Sequence, residues 1–186
     1  MEVRKEMMHY ASIHEHDIAN GPGIRLSLFV SGCRHACPGC FNQVAWDFNY
    51  GKVFSTSVHE KILSDLREPC YRGLTLLGGE PMEPENQRAL LPFLMRFKQV
   101  FPQMDLWIYT GFTYEVLSTD PSETTQAILD LTDVLVDGRF VQEQKDITLL
   151  YRGSVNQRII DVKNSRQKQK VVLWDDRNVS ISNQVH

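Results

Sequence analysis

The chain has 186 residues, of which 42% are hydrophobic and 23% charged, with a formal net charge of −3 at pH 7. This length suits a single domain, and the apolar content is enough for a core and too high for a disordered chain. The slightly acidic balance gives no indication of nucleic-acid binding, and no apolar run approaches the ~18–20 residues of a membrane helix.

Apolar runs of strand length alternate with stretches of helical periodicity along the chain. We predict strands over residues 24–30, 74–77, 106–109 and 134–136. Helices are expected between them: one that begins with a capping box of Ser57 and Glu60, one over 85–100 that Pro92 should kink or restart, and one over 122–131. This alternation is typical of βαβ units with a parallel sheet.

Each predicted strand is followed by residues that stand out from an ordinary loop. The first strand leads to three clustered cysteines, the second to Gly78-Gly79-Glu80-Pro81, the third to Thr110-Gly111 and the fourth to Asp137-Gly138. Ligands of parallel α/β folds bind at the carboxyl ends of the strands. We therefore expect the four segments to converge on one site.

Cys33, Cys37 and Cys40 are three of the four cysteines and fall within eight positions. The N-terminus lacks the apolar segment of a secretory signal, so we expect a cytoplasmic, reducing location, where clustered cysteines indicate metal or redox chemistry. Thiolates are preferred ligands of iron–sulfur clusters and of zinc. Three cysteines on one loop can hold three irons of a 4Fe–4S cluster and leave the fourth iron open, as a catalytic metal requires.

The alternative is a structural zinc site that uses the three cysteines with His35 or Cys70 as the fourth ligand. His35 lies between two of the ligands, where simultaneous tetrahedral coordination would be cramped, so we interpret it as a solvated loop residue. No motif surrounds Cys70, which we interpret as a partly buried free cysteine. A protein of this kind would be a zinc-stabilised adaptor, a binding module rather than an enzyme.

The spacing Cys-x3-Cys-x2-Cys after the first strand resembles the signature of the radical S-adenosylmethionine superfamily, and Gly78-Gly79-Glu80 resembles a second segment of it. This resemblance implies one 4Fe–4S cluster, whose open iron binds S-adenosyl-L-methionine and whose electron cleaves it into methionine and a 5′-deoxyadenosyl radical. It also implies six residues that contact this cofactor: Gly39, Cys40, Phe41, Gly78, Gly79 and Glu80.

Further segments resemble one branch of the superfamily, the anaerobic ribonucleoside-triphosphate reductase activating proteins. The resemblance spans about residues 10–162 and rests on segments 20–23, 37–42, 107–111, 136–140 and 152–158. It implies that the radical removes a hydrogen from a glycine of a partner reductase, leaving a glycyl radical. Reduced flavodoxin or ferredoxin would supply the electron. Two residues depart from the pattern: Gly39 replaces an aromatic residue common in the superfamily, and Phe41 replaces the usual tyrosine of the branch.

The same resemblance bears on the fold and the domains. Related activators with an inserted ferredoxin-like region are rich in cysteine, and four cysteines leave no room for such an insert. We therefore expect an α/β fold of the minimal type, an incomplete (β/α) barrel with a mainly parallel sheet and the cluster at the C-terminal ends of the strands. Residues 1–162 would form the activase domain, and residues 163–186 a polar, mobile tail or a docking segment.

Several alternatives stay open from the sequence alone. A radical enzyme that acts on a small molecule, such as a deazaguanine-type synthase, would turn over without a protein partner. Residues 20–23 are either a turn or functional, and residues 152–158 are either surface structure or a partner contact. We interpret Asp137 as a turn residue and Arg25 as a charge at a strand start.

Overall fold

The structure is a computed structural model that describes residues 7–175. Its centre is a seven-stranded sheet with the strand order β3-β1-β2-β4-β5-β6-β7. The strands are β1 (His9–Asp17), β2 (Ile24–Val30), β3 (Lys52–Val53), β4 (Tyr71–Gly78), β5 (Asp105–Tyr109), β6 (Val134–Asp137) and β7 (Arg158–Asp161). The central strands β2, β4, β5 and β6 are parallel, whereas β1, β3 and β7 pair antiparallel at the edges. This open, mainly parallel α/β sheet is consistent with a partial barrel, which confirms the predicted fold class.

Five helices accompany the sheet in the described residues: α1 (Thr56–Asp65), α2 (Pro84–Val100), α3 (Tyr114–Ser118), α4 (Glu123–Leu131) and α5 (Val162–Lys168). Their apolar sides pack with alternate strand residues, such as Leu26, Leu28, Leu74 and Leu76, into the main core. Among the described residues, no helix has the length and apolar character needed to cross a bilayer.

Two helix predictions need correction. The first helix is capped by Ser55 rather than by a capping box of Ser57 and Glu60, and the Ser55 and Ser57 hydroxyls lie 2.8 Å apart instead of bonding backbone N–H groups. The second helix continues through Pro92, so of the two predicted outcomes, a kink or a restart, the restart does not occur. A proline in a helix interior costs one backbone hydrogen bond, and burial of Leu90, Phe93 and Leu94 on either side offsets that cost.

Arg25 is a buried residue of the sheet, not a surface charge at a strand start. Its side chain is fully buried, and Nη1 lies 2.6 Å from Asp105 Oδ1. Gly73 separates the two in the register of β2, β4 and β5. A Cβ on Gly73 would lie 3.0 Å from Arg25 Nη2, so the missing side chain lets the guanidinium reach across β4. Arg25 Nε also donates to Thr75 Oγ1 at 2.6 Å.

The segment after β7 folds back onto the sheet. Helix α5 is capped by Asp161, whose side chain accepts a hydrogen bond from the Asn164 N–H at 2.9 Å. Leu173 then forms an antiparallel bridge with Ile160, and Trp174 packs against the buried Trp107 at 5.1 Å between ring centroids. The predicted division of the chain after residue 162 stays a prediction, and residues 176–186 of the predicted tail lie outside the described residues.

Candidate metal centre

A cavity of about 410 Å³ lies at the carboxyl ends of the parallel strands. All four segments that follow the predicted strands contribute to its lining, with Cys33, Cys37, Cys40, Gly78, Gly79, Glu80, Thr110, Gly111 and Gly138 among the lining residues. The predicted convergence of these segments on one site is therefore confirmed. Its volume lies in the ordinary range for a site that holds a small molecule, ~300–1,000 Å³.

The loop that carries Cys33, Cys37 and Cys40, called here the cysteine loop, is folded tightly against the chain that follows it. The Gly32 N–H donates to the Ala45 carbonyl at 2.8 Å, and the Cys40 N–H donates to the Cys37 carbonyl at 3.1 Å. Gly39 has a φ of +73°, and a Cβ at this position would lie 1.5 Å from Gln142 Oε1. Glycine is favoured here by the left-handed backbone, whereas the Gln142 side chain is flexible and can move away, so the backbone conformation explains why this chain has no aromatic residue before Cys40.

The three cysteines fit a cluster better than a single metal ion. All three are free and partly buried. Sulfurs that share one tetrahedral zinc lie about 3.8 Å apart, given Zn–S bonds of ~2.3 Å. Within residues 7–175, the three possible ligand atoms that all lie within 4.8 Å of one another belong to His16, Glu68 and Cys70, so the sulfurs of Cys33, Cys37 and Cys40 are not all that close together. In a 4Fe–4S cluster each thiolate binds a different iron, which accommodates a wider arrangement.

Burial controls the protonation of these thiols before a metal binds. It raises the pKa of Cys33 to about 11 and also raises the pKa of Cys37. Both groups are therefore neutral thiols near pH 7 in the metal-free protein. Binding of iron must displace their protons, since only the thiolate is a ligand.

Neither candidate for a fourth zinc ligand has the surroundings expected from the sequence. His35 is not solvated: its side chain is 6% exposed, and Nε2 lies 2.9 Å from Glu80 Oε2. Cys70 is exposed rather than partly buried. It precedes β4, whereas the cavity lies beyond the other end of this strand, about 26 Å away for eight residues at ~3.3 Å each. The structure therefore disfavours the zinc-stabilised adaptor.

Glu80 connects three of the segments that form the cavity. Its side chain is 1% exposed, and Oε2 accepts a hydrogen bond from the Gly111 N–H at 2.7 Å beside the contact with His35. Oε1 accepts from the Met82 N–H at 2.8 Å. The ring of His35 packs against Phe112, with centroids 4.6 Å apart. Glu80 therefore holds the cysteine loop and the end of β5 in place, a role that its predicted cofactor contact did not include.

Gly78 and Gly79, the glycine pair at the end of β4, allow this strand to end against the cysteine loop. The Gly79 N–H donates to the Val30 carbonyl at 2.7 Å. A Cβ on Gly79 would lie 2.7 Å from the Gly32 carbonyl oxygen and 2.9 Å from that of Ala45. Gly78 has a φ of +106°. The missing side chains thus face protein backbone, so these glycines bring two parts of the chain together as well as lining the cavity.

We expect the substitution Gly79→Ala to displace the cysteine loop, because its new methyl group meets backbone oxygens that cannot rotate away. The cost should be about 1–3 kcal/mol, as for overpacked cores, with a loss of iron content. The measurements are the thermal midpoint and the bound iron of anoxically purified protein. Gly153→Ala is the matched control, since its Cβ would meet only side chains that can move, the ring edge of Phe140 at 3.2 Å and Gln157 Oε1 at 3.6 Å. Equal behaviour of the two variants would contradict the packing argument.

Asn86 is a site residue that sequence reasoning missed. It lies in the first turn of α2 and is 1% exposed. Its Nδ2 donates to the carbonyls of Ser31 at 3.0 Å and of Glu80 at 2.8 Å, which joins the cysteine loop to the end of β4. No local signal in the sequence marks Asn86, because its partners are backbone carbonyls of other segments.

Asp137 is a buried anchor rather than a turn residue. It ends β6, is fully buried, and accepts a hydrogen bond from the Tyr114 N–H at 2.8 Å. Arg158 Nε donates to its other oxygen at 3.0 Å and also pairs with Glu115, whose pKa this hydrogen bond lowers to about 2. Within residues 152–158, Gln157 Oε1 accepts from the Gly153 N–H at 2.9 Å. This segment is therefore built into the wall of the cavity.

Two aromatic residues that line the cavity, Phe41 and Tyr109, differ in their exposure to solvent. Phe41, a predicted cofactor contact, is 82% exposed at the mouth. The hydroxyl of Tyr109 is buried at the cavity and has no hydrogen-bond partner among the described residues. Burial raises the pKa of Tyr109, so its hydroxyl remains a neutral donor.

Comparisons with known proteins agree with this geometry. Residues 19–160 match a protein family described as a 4Fe-4S single cluster domain. A protein of Haemophilus influenzae named "Anaerobic ribonucleoside-triphosphate reductase-activating protein" is 44% identical over 152 residues, 81% of this chain and 96% of that protein. Proteins with the same name from Escherichia coli strain K12 and from Enterobacteria phage T4 are 40% and 35% identical, covering 81% and 82% of this chain and 96% and 93% of their own length.

Proposed function

The chain belongs to the family of anaerobic ribonucleoside-triphosphate reductase-activating proteins, and we propose that Cys33, Cys37 and Cys40 hold its single 4Fe–4S cluster. The protein is a radical S-adenosylmethionine enzyme that activates anaerobic ribonucleotide reductase. The assignment of the three cysteines as cluster ligands is supported by the cavity, which brings three free, partly buried thiols together with the glycine-rich end of β4.

The chain's own residues would bind and shield the cofactors. When bound, the cluster and S-adenosylmethionine supply the one-electron cleavage that generates a 5′-deoxyadenosyl radical. Three protein thiolates leave one position of a four-iron cluster for the amino and carboxylate groups of the methionine moiety. Glu80 contacts His35 and Asn86 donates to the Ser31 carbonyl, so these two residues would help the proposed ligands keep their positions.

The six predicted contacts to S-adenosylmethionine remain part of the proposal. They are Gly39, Cys40, Phe41, Gly78, Gly79 and Glu80, and every one of them lines the same cavity. The carboxylate of Glu80 already accepts hydrogen bonds from two backbone N–H groups. Its contact with a bound cofactor would therefore come from its remaining lone pairs or from its backbone.

The proposed target is a glycine Cα of the reductase, and the proposed electron donor is reduced flavodoxin or ferredoxin. A hydrogen atom would pass from the glycine to the 5′-deoxyadenosyl radical and leave the unpaired electron on the glycine. Support for a macromolecular target comes from the open mouth of the cavity, where Phe41 is 82% exposed. No described feature favours the small-molecule alternative.

The test is anoxic incubation of the cluster-loaded protein with the reductase, S-adenosylmethionine and reduced flavodoxin or ferredoxin. We expect a glycine-centred doublet in the electron spin resonance spectrum, one molecule of 5′-deoxyadenosine per radical formed, and neither without S-adenosylmethionine. Replacing the reduced protein donor with dithionite separates the choice of donor from the chemistry. Cleavage of S-adenosylmethionine without any radical on the reductase would contradict the proposed target and favour a small-molecule substrate.

A further inference from the structure

The four most exposed apolar side chains of residues 7–175 all belong to loops that contribute residues to the lining of the cavity. Ile147 is 90% exposed, Phe41 82%, Ile18 73% and Leu150 69%. We call these four residues the apolar collar. Phe41 and Ile147 themselves line the cavity. Ile18 precedes the lining residues Ala19 and Asn20, and Leu150 lies between the lining residues Leu149 and Tyr151.

The exposed apolar residues of the collar are concentrated on a few loops and not scattered over the surface. Single exposed apolar side chains are common on proteins and need no explanation, whereas a concentration of them marks an interaction site. The collar comes from three separate parts of the chain: the loop between β1 and β2, the cysteine loop, and the loop over residues 141–157. Each of the three loops contributes residues to the lining of the cavity.

The loop that carries Ile147 and Leu150 is held in shape by its own contacts. Lys145 and Ser154 form an antiparallel bridge across its base, and Ser154 is fully buried. The two apolar side chains therefore lie on the exposed part of a braced loop over residues 141–157. A surface that is ordered before binding loses less conformational entropy when a partner docks.

We propose that the apolar collar is the docking surface for the reductase and receives apolar residues that flank its reactive glycine. This inference rests on the proposed function, because a glycine of the partner must reach the cavity that the collar encloses. A protein that covers the mouth would bury all four collar residues at once and exclude water from the cavity during the reaction. A second copy of this chain on the collar would instead obstruct the path of the glycine.

The test uses the double variant Ile18→Asp and Leu150→Asp, since neither residue lines the cavity. The matched control is Met95→Asp and Val116→Asp, two side chains on α2 and α3 with exposures of 59% and 56%. For cluster-loaded protein under anoxic conditions, we expect the dissociation constant for the reductase to rise at least about tenfold in the collar variant. The control should stay within about twofold of the unchanged chain.

Further measurements separate the possible outcomes. The unchanged chain, the collar variant and the control variant should have equal iron content and bind S-adenosylmethionine equally. They should also cleave it equally with dithionite in the absence of reductase. These results would show that the collar variant is folded and loaded with its cluster. Unchanged affinity for the reductase would overturn the collar while leaving the proposed function intact. Sedimentation tests whether the collar instead binds a second copy of this chain. If the unchanged chain is a dimer and the collar variant a monomer, and both bind the reductase equally well, the proposed docking surface is wrong. Absence of radical formation with the unchanged chain would count against the proposed function instead.

Discussion

Replacing Cys33, Cys37 or Cys40 singly with alanine is expected to abolish both the cluster and the cleavage of S-adenosylmethionine. Each thiolate would hold a different iron, so the loss of one exposes a second iron and leaves only two protein ligands. The loop offers no replacement, because His35 is buried against Glu80. Bound iron, acid-labile sulfide and 5′-deoxyadenosine formation measure the effect in anoxically purified protein.

Cys70→Ala is the matched control for these variants. Cys70 is exposed at the opposite end of β4 and only its weak contact with Glu68 would be lost. Its iron content and cleavage rate should stay near those of the unchanged chain. Full cleavage activity in any of the three loop variants would remove that cysteine from the ligand set, and loss of iron in the Cys70 variant would add Cys70 to it.

The largest effect on stability is expected for Arg25→Leu. This substitution removes a fully buried guanidinium that pairs with Asp105 and donates to Thr75 and to the Leu74 carbonyl. Removing one partner of a buried charged pair leaves the other groups without compensation. Asp105 keeps its contact with Arg72, so we expect the lower end of the usual cost, on the order of 3 kcal/mol.

Arg72→Leu is the control, because it removes the other cation from the same carboxylate. Arg72 Nε lies 3.1 Å from Asp105 Oδ2, and its side chain is 32% exposed, so water replaces much of the lost interaction. We expect a cost below about 1 kcal/mol. Anoxic urea unfolding of both variants should shift the midpoint by ~1 M or more for Arg25→Leu and little for Arg72→Leu. Equal shifts would show that burial does not distinguish the two pairs.

The parallel centre of the fold could be predicted because its strands are buried and apolar. Strand β2 has the predicted bounds, and β4, β5 and β6 extend the predicted strands by four, one and one residues. The edge strands were missed for the opposite reason. Strand β1 is rich in histidine and acidic residues and mostly not buried, and β7 has only four residues, so neither has a clear apolar pattern.

The site could be predicted as far as its signals are local in the sequence. The spacing of Cys33, Cys37 and Cys40 and the glycine pair after β4 are such signals, and they line the same cavity. The buried partners were not predictable, because each depends on contacts between distant segments. His35 meets Glu80 across 45 positions, and Asp137 meets Arg158 across 21. The charged or polar character of these residues alone suggests solvent exposure.

The central claim is that the protein supplies three ligands to a four-iron cluster and leaves one iron for the cofactor. Mössbauer spectroscopy of anoxic protein loaded with 57Fe, recorded with and without S-adenosylmethionine, tests it most directly. We predict that about a quarter of the iron signal changes when the cofactor is added and that the rest does not. A spectrum that is the same in both states would mean that all four irons are already held by other ligands, and would contradict the account.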